Sequence, residues 1–310
     1  MRRPRLRQSG VVLAALLLAV LALAPVAARL LGNAWLLALA TRAGVFAIAA
    51  VSLQFIVGFA GLASLGHAAF LGIGAYALLM LAGAGWDEMA LSLPAAILAA
   101  AAYAWPTGWL ALRTRGVTFI MITLAFGQMA FFVAESLAVY GGDDGMPLDR
   151  APPLFGSRLL ARPEAFHALV LLLLLALLLA ARRLGAGRFG RALRAAREMP
   201  GLAASLGFDV VRVRLIAYVL AGGVGGLAGW LLAVASGFVS PALFDWRLAG
   251  QLLVMVILGG VATPEGAASG AIFLVLVEEG LSAADEHGRI VLGALLLGAA
   301  LWRVRRGRAG

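Results

Sequence analysis

Long apolar runs separated by short polar segments dominate this chain. The longest extends from Ala43 to Trp86, 44 residues without an Asp, Glu, Lys or Arg. An α-helix rises about 1.5 Å per residue, so a bilayer core about 30 Å thick takes roughly 20 residues. One helix of that length would measure about 66 Å, too long for one crossing. The run therefore predicts two helices, divided near Gly61 to Gly66.

The same length criterion applied to the whole chain predicts ten transmembrane spans. The spans are 11–28, 43–62, 64–84, 91–112, 117–139, 166–181, 215–235, 250–262, 266–280 and 289–302. The segment 182–214 is then the longest loop on its side of the bilayer. The fold class is an all-α polytopic bundle in one domain, 1–310. Its two halves of five spans begin on opposite sides, as an inverted-topology repeat requires.

Charge supports this count and orients the chain. The formal net charge is +10, every basic residue is arginine, and the arginines flank the apolar runs. With ten spans, a cytoplasmic N-terminus and a cytoplasmic C-terminus, 18 of 25 arginines lie inside, against 9 if 43–86 crossed once. The positive-inside rule favours ten. We expect a bacterial inner-membrane protein that contacts lipid and binds no nucleic acid.

The N-terminus allows a second interpretation. MRRPRLRQSG, an apolar stretch and LALAPVAA together resemble a secretory signal peptide with a small-residue cleavage site. Pro25 directly follows the best cleavage match, Ala22 to Ala24, and disfavours cleavage there. An uncleaved first helix is the favoured hypothesis, and the downstream topology is the same in both.

Composition excludes several chemistries. The sequence has no cysteine, hence no disulfide, Fe–S cluster or thiolate metal site. It has no lysine for a P-loop, so any ATP hydrolysis must occur on another chain. No HExxH or paired-carboxylate motif is present, and Ser64 and His67 are neighbours on one segment without a nucleophile turn. We predict no catalytic or metal-binding residue, no cofactor in this chain, and no enzyme activity.

The glycine-rich stretch VGFAGLASLGHAAFLGIGAYA (57–77) is the first candidate site. Glycines permit close helix packing, which is the simpler explanation, or a break in a helix. Non-helical backbone at membrane depth is tolerated only inside protein or beside a wet cavity. Because polar side chains accompany these glycines, we predict a substrate pathway that includes Gly61, Ser64, Gly66 and His67.

The loop 182–214 is the second candidate site. Arg188, Arg191, Arg194 and Arg197 recur every third residue and form a drifting stripe on a helix, while Leu193 and Ala196 face away. Pro200 is expected to break or restart the helix. The pattern fits a basic helix on anionic lipid headgroups or a docking helix for a cytoplasmic partner. Spacing alone does not choose between them.

Acidic residues concentrate on the other side. The outer loop 140–166 carries four of them: Asp143, Asp144, Asp149 and Glu164. A loop of this length is usually functional or disordered. It could receive an external partner or form a solvated lid, and the sequence favours neither.

Several stretches, in order, resemble the permease subunits of bacterial branched-chain amino acid ABC importers, the LivH/LivM family. Segment 57–77 is similar to the family signature GYAGQLSLGHAAFFGIGAYT, and LRTRGVTFIMITLAFGQM (112–129) resembles the LivM-type pattern around TLAFGE. YGGDDGMPL (140–148), segment 190–229, GFVSP (237–241) and VMVILGG (254–260) match further family segments. The resemblance covers about residues 45 to 280.

This resemblance implies a transport subunit that works with a second, LivH-like permease, two ATP-binding subunits and a periplasmic solute-binding protein. Loop 190–207 then corresponds to the ATPase coupling loop, with Glu198 and Gly207 near its acidic and glycine positions. We assign coupling to that pair together with Arg191, Arg194 and Arg197. The sequence EMPG departs from the acidic run usual there. Gln128 stands where the family commonly has glutamate, and we include it in the substrate pathway.

Two alternatives remain open. A urea or amide importer of the same family would have the same build. A stand-alone ion-coupled carrier belongs to a different class and needs an acid pair buried at mid-membrane. Glu135 and the Glu278–Glu279 pair are the only candidates for that role.

Overall fold

The computed structural model describes residues 4–148, 150–284 and Gly293. The described residues form an almost entirely helical bundle. Its helices are α1 (Pro4–Leu30), α2 (Ala34–Gln54), α3 (His67–Gly83), α4 (Met89–Ala111), α5 (Val117–Ser136), α6 (Pro163–Ala186), α7 (Arg188–Glu198), α8 (Pro200–Ser205), α9 (Val210–Ser236), α10 (Trp246–Gly259) and α11 (Pro264–Ala284). A π-helix, Phe55–Ala60, continues α2 without interruption.

The helix lengths do not confirm the predicted number of spans. Among the described residues, five helices are long and apolar enough to cross a membrane: Ala34–Ala60, Met89–Ala111, Val117–Ser136, Pro163–Ala186 and Val210–Ser236. A sixth crossing results if α10 and α11, which are bent by 116° at their junction, form one broken span. Ten crossings are therefore not confirmed. Apart from Gly293, the predicted span 289–302 lies outside the described residues.

The difference has a physical reason in the short helices. α3 has 17 residues and α10 has 14, which gives lengths of about 25 and 21 Å. The irregular segment 61–66 precedes α3, and the irregular segment 260–263 follows α10. Each helix therefore borders non-helical backbone, rather than a polar loop, on one side. The second span also begins earlier than predicted, at Ala34, because the Asn33 side chain caps it by accepting a hydrogen bond from Trp35 N at 3.0 Å.

Helix α2 lies at the centre of the bundle. In its apolar window 94% of residues are buried, and it contacts α1, α6, α9, α10 and α11. α9 is the second central helix and packs against α2, α3 and α4. In contrast, only 22% of the apolar windows of α4 and α5 is buried. A helix that is apolar on every face and enclosed by others belongs to a core, and α2 fits that pattern.

The packing has the reciprocal pattern that an inverted repeat requires. In the first half, α2 leads through a break to the α3–α4 hairpin, and in the second half α9 leads through an irregular segment to α10–α11. The α3–α4 hairpin packs on α9, while α10 and α11 pack on α2. Each long helix thus supports the hairpin of the opposite half. This exchange is the packing expected of an inverted repeat, which stays a prediction.

Glycines of α9 allow this helix to approach α3 and α4 at backbone distance. A Cβ placed on Gly229 would lie 1.8 Å from Leu71 O, and one on Gly226 would lie 2.5 Å from Ala96 O. Both obstacles are backbone atoms, which cannot rotate away as a side chain does. Close helix packing of this kind is typical of membrane bundles.

Charged pairs and a small sheet mark the end of the bundle that we predict to face outward. β1 (Met146–Pro147) pairs antiparallel with β2 (Phe238–Val239). Nearby, Arg150 Nε lies 2.6 Å from Asp87 Oδ2. The outer loop is held at the start of α4, since Met89 N donates to Pro153 O at 2.9 Å. It is therefore packed on the bundle, which favours a fixed surface over a solvated lid.

We predict that Gly229→Ala destabilises the protein by at least about 1–3 kcal/mol, because overpacking against backbone forces the helices apart. Gly250→Ala is the matched control: it lies on helix α10 with no atom within 4 Å of the added Cβ. Removing a helical glycine there should be neutral or stabilising by up to about 1 kcal/mol. Thermal unfolding of the two purified variants in detergent measures both, and equal midpoints would contradict the packing argument.

Candidate translocation core and coupling loop

The break between α2 and α3 lies in the segment where the sequence places it. After the π-helix, Gly61 adopts φ +71° in the left-handed region, and residues 61–66 are non-helical until His67 starts α3. Glycine adopts this conformation at little cost, whereas an L side chain is strained there. The residues on both sides of the break are buried, whereas Gly61 is exposed, so the break begins at the surface and enters the bundle at Ser64 and Gly66.

His67 is fully buried and binds a serine on α2. Its Nε2 lies 2.9 Å from Ser52 Oγ, and the same hydroxyl donates to Ala221 O at 2.6 Å. A hydroxyl has one proton and a carbonyl only accepts, so Nε2–H is the donor to Ser52. The Nδ1 atom has no hydrogen-bond partner among the described residues. His67 on α3 is thus linked to α2 and α9 through two successive hydrogen bonds.

Ser64 is the second buried polar residue at this break. Ser64 is fully buried, and its Oγ has no partner in hydrogen-bond geometry within the part of the chain that the structure describes. The Tyr218 hydroxyl on α9 lies near the side chains of Ser64 and Thr107. The predicted neighbours Ser64 and His67 therefore contact different partners, and no nucleophile–base pair joins them.

The second break in the bundle lies between α10 and α11 and contacts the first. Gly260 has φ +108°, and α11 begins at Pro264. Gln54, which is fully buried near the end of α2, donates from Nε2 to Val261 O at 3.0 Å. A Cβ on Gly58 would lie 2.2 Å from the same carbonyl oxygen. The second break is therefore packed directly against the helical segment that leads into the first.

Helix α5 closes the first break from the other side. A Cβ on Gly66 would lie 2.3 Å from Thr123 O, and one on Gly127 would lie 3.3 Å from Gly66 Cα. Gln128 follows Gly127 but is only half-buried, and it makes no hydrogen bond to any described residue. The structure brings Gly61, Ser64, Gly66 and His67 together, and it leaves Gln128 outside their contacts.

Arginines of the loop helix α7 bind carbonyls at the ends of other helices. Arg191 Nη1 donates to Ala186 O and Arg194 Nη1 to Gly185 O, each at 2.9 Å, at the C-terminus of α6. Arg197 Nη1 donates to Gly58 O in the π-helix. Cations at helix C-termini satisfy free carbonyls and interact favourably with the helix dipole.

These contacts revise the predicted role of the arginine stripe. The sequence suggested that Arg191, Arg194 and Arg197 face lipid or a partner, but each donates to the chain's own backbone. The predicted face of α7 is correct, since Leu193 and Ala196 are buried. Pro200 starts α8 as expected. Hydrogen bonds to the chain's own backbone therefore account for much of the three-residue spacing of these arginines.

Two further arginine contacts fix this end of the bundle. Arg214 is buried and donates from Nη2 to Ala196 O at 2.6 Å, which ties the start of α9 to α7. Arg182 at the end of α6 pairs with the buried Glu265 at the start of α11. The Arg182 side chain is half-exposed, but removing it would leave the buried Glu265 carboxylate without its partner, which is destabilising.

An apolar groove of about 190 Å³ lies on the exposed side of α7 and α8. Its lining comprises Ala195, Glu198, Met199, Leu202, Ala203, Leu206 and Phe208. Met199 is 61% exposed and Leu206 is 69% exposed. Of the predicted coupling residues, Glu198 stands in this groove, and Gly207, with φ +84°, lies between two of its lining residues.

Sequence reasoning missed Ser52, Gln54 and Tyr218. The signal that would have pointed to the first two is their position, since a serine and a glutamine near the end of an uncharged helix must find partners inside the bundle. Nothing in the local sequence indicates that their partners are carbonyls on α9 and in the 260–263 break.

The geometry defines a class: a polytopic α-helical membrane protein with two interrupted helices in contact and a basic loop helix pinned to one of them. A family model for the permease component of branched-chain amino acid transport systems matches residues 35–300. The chain belongs to this family.

Individual relatives agree with the family match. The chain is 31% identical over 288 residues to the high-affinity branched-chain amino acid transport system permease protein LivM of Escherichia coli K12, which covers 86% of this chain and 68% of that protein. It is 29% identical to LivM of Salmonella typhimurium over the same length. Against LivH of E. coli K12 the identity is 26% over 277 residues, 83% of this chain and 89% of the relative. No solved structure matches the chain.

We predict that Ser52→Ala destabilises the protein by about 1–3 kcal/mol, because it leaves the donor His67 Nε2–H buried without a partner. Ser236→Ala is the control, since that hydroxyl is exposed and also donates to a helical carbonyl, Leu232 O at 2.8 Å. Thermal unfolding of the purified variants tests the difference. If Ser236→Ala proved as damaging as Ser52→Ala, the buried chain would not be a stabilising element.

Proposed function

We propose that this chain is a permease subunit of an ATP-binding-cassette importer for branched-chain amino acids. The observation that carries the proposal is the exposed apolar groove on α7 and α8, in a member of this permease family. The relatives are named for high-affinity branched-chain amino acid transport. We place the chain in the bacterial inner membrane with both termini cytoplasmic.

The groove has the character of a protein docking surface. Apolar side chains such as Leu202, which is 55% exposed, would otherwise face water or headgroups. Clustered exposed apolar groups with a polar rim mark interaction sites. The occupant that we propose is an ATP-binding subunit, because the chain has no lysine for a P-loop and needs an external source of ATP hydrolysis.

Arg197 provides the mechanical connection from this groove to the membrane core. Its guanidinium bonds Gly58 O, and its side chain also occupies the space beside Gly61. A displacement of α7 by a docked ATPase therefore acts directly on the broken segment that carries Ser64 and leads to His67. Alternating access then consists of packed groups moving as units around this break.

The remaining partners follow from the same assembly. A second, LivH-like permease completes the pathway, and a periplasmic solute-binding protein meets the outer face near Asp143 and Asp144. ATP and Mg²⁺ belong to the partner subunits. An ion-coupled carrier is not favoured, because it needs an acid pair at mid-membrane, whereas Glu135, Glu278 and Glu279 lie in the last turns of α5 and α11.

We predict that Leu202→Glu prevents stable association with the ATP-binding subunits, because it places a charge in an apolar contact and removes buried apolar surface. Association should weaken by at least about tenfold. Leu184→Glu is the control, an exposed leucine at the C-terminal end of α6 that does not line the groove. Co-purification with co-expressed ATP-binding subunits measures the effect, and unchanged association for Leu202→Glu would exclude the groove as the docking site.

We predict that Arg197→Ala separates ATP hydrolysis from transport. The groove remains, so the ATP-binding subunits should still bind, but leucine uptake should fall several-fold or more because the link to Gly58 is lost. Arg188→Ala removes an exposed arginine of the same helix and should leave uptake unchanged. Uptake and ATPase activity in the same proteoliposomes test this; normal uptake with Arg197→Ala would remove the proposed connection.

A further inference from the structure

A large cavity opens at the end of the bundle opposite to the coupling loop. Its volume is about 910 Å³, within the range of small-molecule sites. The described residues that line it come from the first turns of α2, α6 and α10, the last turns of α9 and α11, the outer loop, and the segment 238–243 between α9 and α10. Because these helix ends all lie on one side, the cavity faces the predicted periplasmic surface.

One ion pair stands in this cavity. Arg42 Nη1 lies 3.4 Å from Glu279 Oε2, and the Arg42 guanidinium carbon is 5.8 Å from the centre of the Phe46 ring. The side chains of Arg42 and Glu279 are 52% and 30% exposed. A single long contact between partly hydrated groups contributes little stability, so a ligand can open it. Both charges are therefore available to a molecule that carries the opposite charge for each.

Apolar side chains surround the pair. They include six leucines: Leu37, Leu39, Leu160, Leu232, Leu243 and Leu248. A net-neutral ion pair inside an apolar wall complements a ligand that carries one positive charge, one negative charge and a hydrocarbon group. An α-amino acid with an aliphatic side chain has that composition.

We infer that this cavity binds one aliphatic α-amino acid as a zwitterion before it enters the pathway. Arg42 binds the α-carboxylate, Glu279 binds the α-ammonium group, and the leucine-rich wall receives the side chain. The inference deepens the proposed function and rests on it, since it supplies the substrate site within this chain. It differs from the glycine-rich break, from which the cavity is distinct in its lining residues.

The energetics favour exchange of the ion pair. Arg42 and Glu279 make one contact with each other, whereas a bound zwitterion provides a carboxylate for Arg42 and an ammonium for Glu279. Arginine–carboxylate contacts can be bidentate, which adds strength and fixes orientation. Phe46 beside Arg42 keeps the guanidinium positioned. Two charge-assisted contacts thus replace one long one.

The test uses the purified full chain in phosphatidylcholine nanodiscs with three probes. L-leucine has both charges, 3-methylbutylamine lacks the carboxylate, and 4-methylpentanoate lacks the amine. Arg42→Gln should weaken L-leucine binding about tenfold or more and leave 3-methylbutylamine unaffected. Glu279→Gln should weaken L-leucine but not 4-methylpentanoate, which should bind at least as tightly because Arg42 loses its internal competitor.

Arg29→Gln is the matched control. Arg29 also pairs with a glutamate at 3.4 Å, Glu164, on the same side of the bundle, but neither residue lines the cavity. Its binding of all three probes should equal that of the parent protein. Ligand-observed NMR detects the weak complexes, and thermal unfolding shows whether each variant is folded.

Three outcomes overturn the inference: no L-leucine binding to the parent chain, binding unaffected by Arg42→Gln and Glu279→Gln, or equal loss with Arg29→Gln. A different result is also informative: if L-leucine displaces neither of the other two probes and the purified chain instead retains phosphatidylethanolamine, the cavity is a lipid headgroup site and the inference is wrong. The proposed function fails separately, if a complete assembly with its ATP-binding subunits takes up no branched-chain amino acid. Normal uptake with no binding to this cavity would contradict the inference alone.

Discussion

The constraint on which this structure depends is the satisfaction of backbone carbonyls that broken helices leave free inside an apolar bundle. Water cannot bind them there, so side chains must, and each unsatisfied group costs several kcal/mol in hydrocarbon. Two polar residues meet this need: Gln54 for Val261 O and Arg197 for Gly58 O. These bonds allow helices to be interrupted where a continuous helix would otherwise be required.

The same bonds connect regions that a transporter must coordinate. Gly58 receives Arg197 from the loop helix at one carbonyl and packs against Val261 O of the second break. From there Gln54 and Ser52, on the same helix α2, reach the second break and His67. The loop, the two interruptions and the buried histidine therefore form one contiguous network. Structural necessity and the proposed transmission of movement rest on the same few contacts.

The sequence predicted local features of this network and not its long-range pairs. Glycine content and run length were enough to predict the break at 61–66, and three-residue spacing predicted the buried face of α7. The carbonyl partners of Ser52 and Gln54 are 169 and 207 residues away, beyond any local pattern. The predicted number of ten crossings was not confirmed, for a related reason. Length criteria presume whole helices, whereas α3 and α10 are short helices that adjoin interior breaks. The cavity beside Arg42 could not be predicted without the fold, because seven separate segments of the chain line it.

The small β1–β2 sheet has a mechanical consequence. It joins residue 146, from the connection after α5, to residue 239, after α9, so it ties the first half of the chain to the second at one end only. Gly145 adds to the tie, since a Cβ there would lie 2.5 Å from Val239 O. If the β1–β2 pairing persists while the two halves of the chain reorient, it is the point about which they rotate. A small tilt about it then becomes a larger excursion at the far end, where α7 is attached.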